Sequence, residues 1–207
     1  MGKLTPQRRR DVLASGDAVN LDGKGLNGFL LDWYRSEPRG VVAKPRRQVL
    51  SEFFTSMLVL SAEFKYEPAI GVRNHLYFRN GDWMLSLIGP DEWSPGRRNS
   101  YVGECILQRD MTWTIDPSES LRDENQLSQA VGRFYDAFAR MLDVDSTIEE
   151  ILPFYAEKLP YYQRLYANAL SRSIRGTVTL GDQRSMKCRD WRSVRPSSEY
   201  TTLLHMD

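Results

Sequence analysis

Cysteine and histidine are nearly missing from this 207-residue chain, which has two of each. Cys105 and Cys188 stand too far apart in sequence to form a paired spacing, so neither a disulfide framework nor a zinc ribbon is expected, and the reading is of a reducing compartment. His75 and His205 form no ligand cluster, and no Gly-x-Ser-x-Gly elbow occurs. No metal, no cofactor and no histidine-dependent catalytic set is therefore expected, while a site built on carboxylates stays open. Long apolar runs are missing too. The longest, Phe53 to Leu60, is interrupted by Thr55 and Ser56 and bounded by Glu52 and Glu63, far short of the roughly 20 residues of a membrane span. The basic stretch Met1 to Arg10 has no apolar segment behind it, so no secretory signal is read there and the expected location is cytoplasmic.

What is present is ordinary in amount and uneven in placement. The hydrophobic fraction is 41% and the charged fraction 27%, as in a globular protein. A chain of this length buries roughly 70% of its unfolded surface, enough for a core without covalent staples. The net charge is +1, yet residues 1–50 carry 10 basic and 5 acidic side chains, residues 51–160 carry 10 and 18, and residues 161–207 carry 8 and 4. Basic ends flank an acidic middle, a pattern that suits solvated arms or contact with an acidic partner.

Periodicity divides the chain into helix, strand and helix. Thr5-Pro6 opens a short helix ending near Gly16. Leu26, Phe29, Leu30, Trp33 and Tyr34 recur at helical spacing and stop before Pro38. Gln48 to Tyr66 reads as the main core helix, apolar on more than one face and ended by Pro68 and Gly71. Asn80-Gly81 then sits between two apolar runs, the strongest short-range hairpin signal. A two-residue loop pairs Arg79 with Asp82, Phe78 with Trp83 and Leu76 with Leu85. Leu76, Phe78, Trp83, Leu85 and Leu87 fall on the core side, with His75, Tyr77, Met84, Ser86 and Ile88 opposite. Two further strands, Tyr101 to Gln108 and Met111 to Ile115, join near Arg109-Asp110. Leu127, Val131, Phe134, Phe138 and Met141 mark a long helix, and Ser146 with Glu149 or Thr147 with Glu150 forms a capping box for the next. Tyr162, Leu165, Tyr166, Ala169 and Leu170 mark the last helix. The expected fold is α+β: a four-stranded antiparallel β-meander, about residues 75–116, packed by N-terminal and C-terminal helices. Residues 1–180 form one domain and residues 181–207 a peripheral arm.

Three motif matches fail on context. Gly23-Lys24-Gly25-Leu26-Asn27-Gly28 spells the dinucleotide pattern but lacks the strand before it and the parallel unit around it. Val41-Val42-Ala43-Lys44 is followed by no kinase catalytic loop, and Pro45 spoils the strand. Asp143-Val144-Asp145-Ser146-Thr147 matches a phosphatase aspartate pair, but it follows a helix and opens another, so capping accounts for it.

The aromatic residues Tyr77, Phe78, Trp83, Trp93, Tyr101 and Trp113 concentrate in the sheet region. With Trp83 and Phe78 on the core side, Tyr77, Trp93 and Trp113 are the candidates for a recognition surface, beside the alternative that they pack the sheet. Leu76-Tyr77, Gly81, Ser86-Leu87-Ile88, Pro90-x-Glu92-Trp93, Tyr101-x-Gly103, Leu107-Gln108-x-Asp110 and Trp113-Thr114 together resemble the core of domain-of-unknown-function family 2452. The resemblance spans about residues 75–114. It implies a small β-meander, supplies no established activity, and departs at Ser94, where relatives often have glycine. In the Pro-x-Glu-Trp corner a structural role is expected: proline sets the turn, Trp93 plugs the sheet end and Glu92 holds loop amides.

These readings lead to a non-enzymatic protein-interaction or adaptor role. A protein partner would be bound through the aromatic-rich sheet, by Tyr77, Glu92, Trp93 and Trp113, and through basic arms that include Arg46 and Arg47. The first alternative is a nucleic-acid-associated protein, with Arg8, Arg9, Arg10, Arg46 and Arg47 contacting phosphates. The second is a small-ligand-binding protein or enzyme with a carboxylate site at Glu92 or Asp110.

Overall fold

The computed structural model describes residues 25–152 and 159–191, so the expected first helix, His205 and the end of the C-terminal arm lie outside the described residues. Two units are distinguished by contact, residues 1–37 and residues 38–207. The described part of the first is the helix α1, Gly25–Arg35. Within it Phe29 and Trp33, one turn apart, bring their ring centroids to 5.9 Å. Gly28, part of the dinucleotide-like pattern, lies inside this helix.

The second unit begins with a connector and α2, Arg46–Leu60. Pro45 precedes the helix with φ −56°, already suited to its entry. From Val49 to Leu60 every residue but Met57 is buried, as the many-sided apolar pattern requires. The expected extension to Tyr66 does not form. The helix stops at Leu60, and the chain turns so that Glu63 lies along a sheet edge, donating its N–H to Trp83 O at 2.9 Å and accepting from Leu85 N at 3.0 Å.

The sheet comprises β1 Arg73–Arg79, β2 Asp82–Ser86, β3 Tyr101–Leu107 and β4 Trp113–Pro117. The β1–β2 register pairs Leu76 with Leu85, Phe78 with Trp83 and Arg79 with Asp82, as the hairpin signal predicts. Asn80 and Gly81 take φ +55° and +94°, the left-handed pair that such a turn demands. The three strand pairings are antiparallel, and the strand order is β2-β1-β3-β4. The chain therefore passes from β2 over the sheet to pair β3 with β1, where a plain meander would have placed β3 beside β2. Glu63 occupies the outer edge of β2. A bulge in β3 between the pairs Leu76–Gly103 and Tyr77–Tyr101 bends the strand.

Both edges are thus managed. On the other side of the sheet, Ser56 Oγ accepts from Trp113 N at 2.8 Å and Thr55 Oγ1 donates to Trp113 O at 2.5 Å, so two hydroxyls of α2 complete the β4 edge before Pro117 ends it. Leu76, Phe78 and Leu85 are buried on the face covered by helices, as expected. Leu87 is 55% exposed, because β2 ends at Ser86 and the alternation lapses there.

Beyond the sheet run α3 Pro95–Arg98, α4 Gln126–Met141, α5 Ile148–Ile151, α6 Tyr161–Leu180 and α7 Cys188–Trp191. Asn125 caps α4, accepting from Leu127 N and Ser128 N. Phe138 of α4 meets Phe53 and Phe54 at 5.3 Å each, both edge-on, the favoured arrangement for aromatic rings. Thr147, with Glu150 accepting its N–H at 2.7 Å, is the capping pair used. The helix α6 continues through Gly176, where an added Cβ would meet Val41 Cγ1 at 3.0 Å. Residues 181–191, expected to begin a peripheral arm, instead close onto the core. Cys188 and Trp191 are fully buried, and Cys188 N donates to Ser146 O at 2.7 Å.

Candidate functional site

Of the expected recognition residues, Tyr77, Glu92 and Trp93 come together, and they do so as a structural corner. The loop after β2 folds back over the second sheet face. Tyr77 is only 1% exposed, its hydroxyl donates to Ile88 O at 2.8 Å, and its ring meets Trp93 edge-on at 6.4 Å. Burial pushes the Tyr77 phenol up to about 12. Glu92 Oε1 accepts from Gly89 N at 3.1 Å within the turn that Pro90 opens. The Arg97 guanidinium lies 3.9 Å from the Trp93 ring. Trp113 is fully buried on the opposite face, under α2. The loop buries Tyr77 and Trp113 is buried on the other face, so neither presents a surface, while Met84, Ser86, Tyr101 and Glu104 beside Tyr77 stay half-buried. Arg46 and Arg47 are exposed in the first turn of α2, which has no acidic residue.

A different constellation forms where the connector, the start of α2 and the β3–β4 turn converge. Lys44 Nζ lies 2.6 Å from Glu52 Oε2 and 2.5 Å from Asp110 Oδ2, with 9%, 5% and 9% of the three side chains exposed. Gln48, one turn before Glu52, donates to its Oε1 at 2.9 Å. Asp110 Oδ1 accepts from Thr112 Oγ1 at 2.7 Å and Thr112 N at 3.1 Å. Burial opposes charge on Lys44, but hydrogen bonds and attraction from Asp110 and Glu52 outweigh it and raise its pKa. Burial likewise opposes the Asp110 carboxylate and is outweighed by Lys44 and Thr112, so its pKa is lowered. Lys44 and Asp110 therefore stand ionised at neutral pH.

This group floors a cleft of about 590 Å³, whose walls are Gln48 of α2, Ile70 and Gly71 before β1, Gln108 and Thr114 of the β3–β4 hairpin, and Arg39 and Arg109. The walls are tied by Arg39 N donating to Arg109 O, Gly71 N to Leu107 O (each 2.9 Å) and Gln108 Nε2 to Thr114 Oγ1 at 2.8 Å. The turn that aims Asp110 carries strain, with Met111 at φ +66° and its side chain only 2% exposed. Among the described residues no three His, Cys, Asp or Glu side chains gather as metal ligands, and no helix is long and apolar enough to cross a membrane.

Asp110 is a carboxylate that sequence reading singles out; Lys44 it meets only in the rejected kinase-like match, and Glu52 it names only as the boundary of an apolar run. The signal for Glu52 was available, since a charge inside a helix buried from several sides demands a partner. Nothing local points to the pairing of Lys44 with Asp110, which lies 66 residues away.

The molecule is thus an α+β protein whose antiparallel sheet, with α2 laid on it, carries a charged polar cleft. Residues 42–136 match the family model described as Protein of unknown function (DUF2452). The match contains α2, the whole sheet and every cleft residue named above except Arg39. No curated protein and no solved structure matches the chain.

Proposed function

We propose that this protein binds a small ligand in the cleft floored by Lys44, Glu52 and Asp110. The observation that carries the reading is the Lys44 ammonium held within 2.6 Å of two carboxylates at the floor of a polar cleft. Buried ion groups are poor stabilisers, since well-packed apolar side chains of the same volume do as well or better. Charge kept there is better explained by recognition than by folding. The strained turn at Met111 supports the same reading: a non-glycine residue in the left-handed region costs about 1–2 kcal/mol, and such costs collect at functional sites.

The test is a nuclear magnetic resonance titration of the 15N-labelled chain with a library of small acids, amines and polyols. A cleft ligand moves the side-chain amides of Gln48 and Gln108 together with the Arg109 and Asp110 backbone signals. A library that moves none of them refutes the reading. A second reading, phosphate contact by a nucleic acid, is supported by Arg46 and Arg47. They stand at the positive end of the α2 dipole with no acidic residue in that turn, where cations are unfavourable unless an anion joins them. Retention on RNA or DNA that falls steeply with salt would support it, and no retention at low salt would end it.

A further inference from the structure

Taking the cleft as the ligand site, its uncommitted groups indicate the ligand's class. The lining holds three cations, Arg39, Lys44 and Arg109, against two anions, Glu52 and Asp110, and so favours a ligand of negative charge. The anions are already engaged. Glu52 takes hydrogen bonds from Lys44 and Gln48, and Asp110 from Lys44 and Thr112. The guanidiniums of Arg39 and Arg109 make no ion pair among the described residues, and both side chains are exposed. The backbone bond from Arg39 N to Arg109 O makes the two side chains leave the rim from one place. Paired guanidiniums on a rim suit a carboxylate, which takes two parallel N–H donors.

Deeper in, the Lys44 ammonium has three N–H donors and spends two, on Glu52 and Asp110. Gln48 and Gln108 spend their amide nitrogens on Glu52 and Thr114, which leaves their carbonyl oxygens open. A free donor beside free acceptors matches a hydroxyl, which accepts one hydrogen bond and donates another. Between rim and floor stands Ile70, an apolar wall 41% exposed.

We infer that the ligand is a small aliphatic hydroxy acid. Its carboxylate rests on Arg39 and Arg109, its carbon chain on Ile70, and its hydroxyl between Lys44 and the amides of Gln48 and Gln108. The experiment is titration calorimetry of the full chain with lactate, malate and citrate, against succinate, inorganic phosphate and glycerol. It is repeated on the doubly exposed variant Arg39→Gln/Arg109→Gln and on Gln108→Met, each checked for an unchanged melting temperature. At least one hydroxy acid is expected to bind, with malate favoured over succinate and a loss of about tenfold or more in the arginine variant, the worth of one charged hydrogen bond. Glycerol or phosphate bound in preference to the acids, with loss in Gln108→Met, would overturn the hydroxy-acid assignment and leave the cleft a ligand site. Succinate bound as tightly as malate would remove the hydroxyl from the assignment. No heat from any probe, and no movement of the Gln48 and Gln108 signals, would overturn the assignment and the cleft reading together.

Discussion

Replacing Lys44 by methionine tests the charged floor most directly, because methionine keeps the length of the side chain and removes only its ammonium. The side chains of Glu52 and Asp110 are 5% and 9% exposed, so water cannot replace the lost cation. Removing one partner of a buried ion pair costs about 3–5 kcal/mol, and in a chain of this size each kcal/mol lowers the melting temperature by roughly 2–4 °C. A fall on the order of 10 °C at pH 7 is therefore expected in differential scanning calorimetry, with the same loss in urea unfolding. The pH dependence fixes the cause. In the parent protein Asp110 titrates below its ordinary value, so its contribution is complete above the unfolded-state value of about 3.9 and is lost as pH falls below it. Lys44 titrates above 10.5, so its contribution is complete below that value and is lost as pH rises through the raised one. In Lys44→Met, burial becomes the main influence on Asp110 and pushes its pKa up. That variant should gain stability as pH falls from 7 to 5, while the parent changes little. A stability gap below about 1 kcal/mol, the range of exposed pairs, or a gap that does not narrow between pH 7 and 5, would refute the argument.

Three further outcomes follow from the packing. Thr55→Val with Ser56→Ala leaves the Trp113 N–H and carbonyl unpartnered in the core, at a cost of about 1–3 kcal/mol for each group; chemical denaturation measures the sum. Gly103→Ala would place a Cβ 2.5 Å from Asp116 O and 3.0 Å from Pro117 Cα. Strands β3 and β4 must then part, with a loss of about 1–3 kcal/mol or more and faster amide exchange along that pair. Trp191→Ala empties a fully buried site and should cost about 3–5 kcal/mol, whereas a peripheral arm would lose almost nothing in the same melt.

Local chemistry was the legible part of the fold. The Asn80-Gly81 hairpin, its register and the apolar stripe of α4 follow from rules acting over a few residues, and each stands as read. What escaped depends on distant competition for hydrogen bonds. β3 pairs with β1 and not with β2, whose outer edge is taken by Glu63 beyond the end of α2. The same holds for the end of the chain. The sequence around Cys188 and Trp191 has too few apolar residues to show a period, yet both side chains fill the core. At the site, Asp110 was legible as a carboxylate in a turn, and its role was not, because the lysine that gives it meaning arrives from residue 44. The aromatic cluster was visible, and its packing was not. Aromatic residues mark a packed corner as readily as a surface, and only the path of the 87–99 loop decides between them.

The residues that carry the resemblance divide accordingly into two places. The Pro90, Glu92 and Trp93 group secures a loop, and every polar or aromatic contact it makes is within that corner. Gln108, Asp110 and Thr114 line the cleft, where a structural explanation has a measurable consequence. If Lys44, Glu52 and Asp110 serve only to clasp α2 to the β3–β4 turn, replacing all three by Met, Leu and Asn should leave the fold intact and its ligand chemistry untouched. Buried ion groups exchanged for apolar ones of like volume are often neutral or stabilising by about 1–4 kcal/mol. Asparagine at position 110 keeps an oxygen for the Thr112 N–H, so no backbone donor is stranded. The expected result is a triple variant that melts near or above the parent, far above Lys44→Met alone, and no longer moves the Gln48 and Gln108 signals with any probe. A triple variant as unstable as the single one would make the charges a requirement of folding. A stable triple variant that still binds would place recognition elsewhere on the molecule.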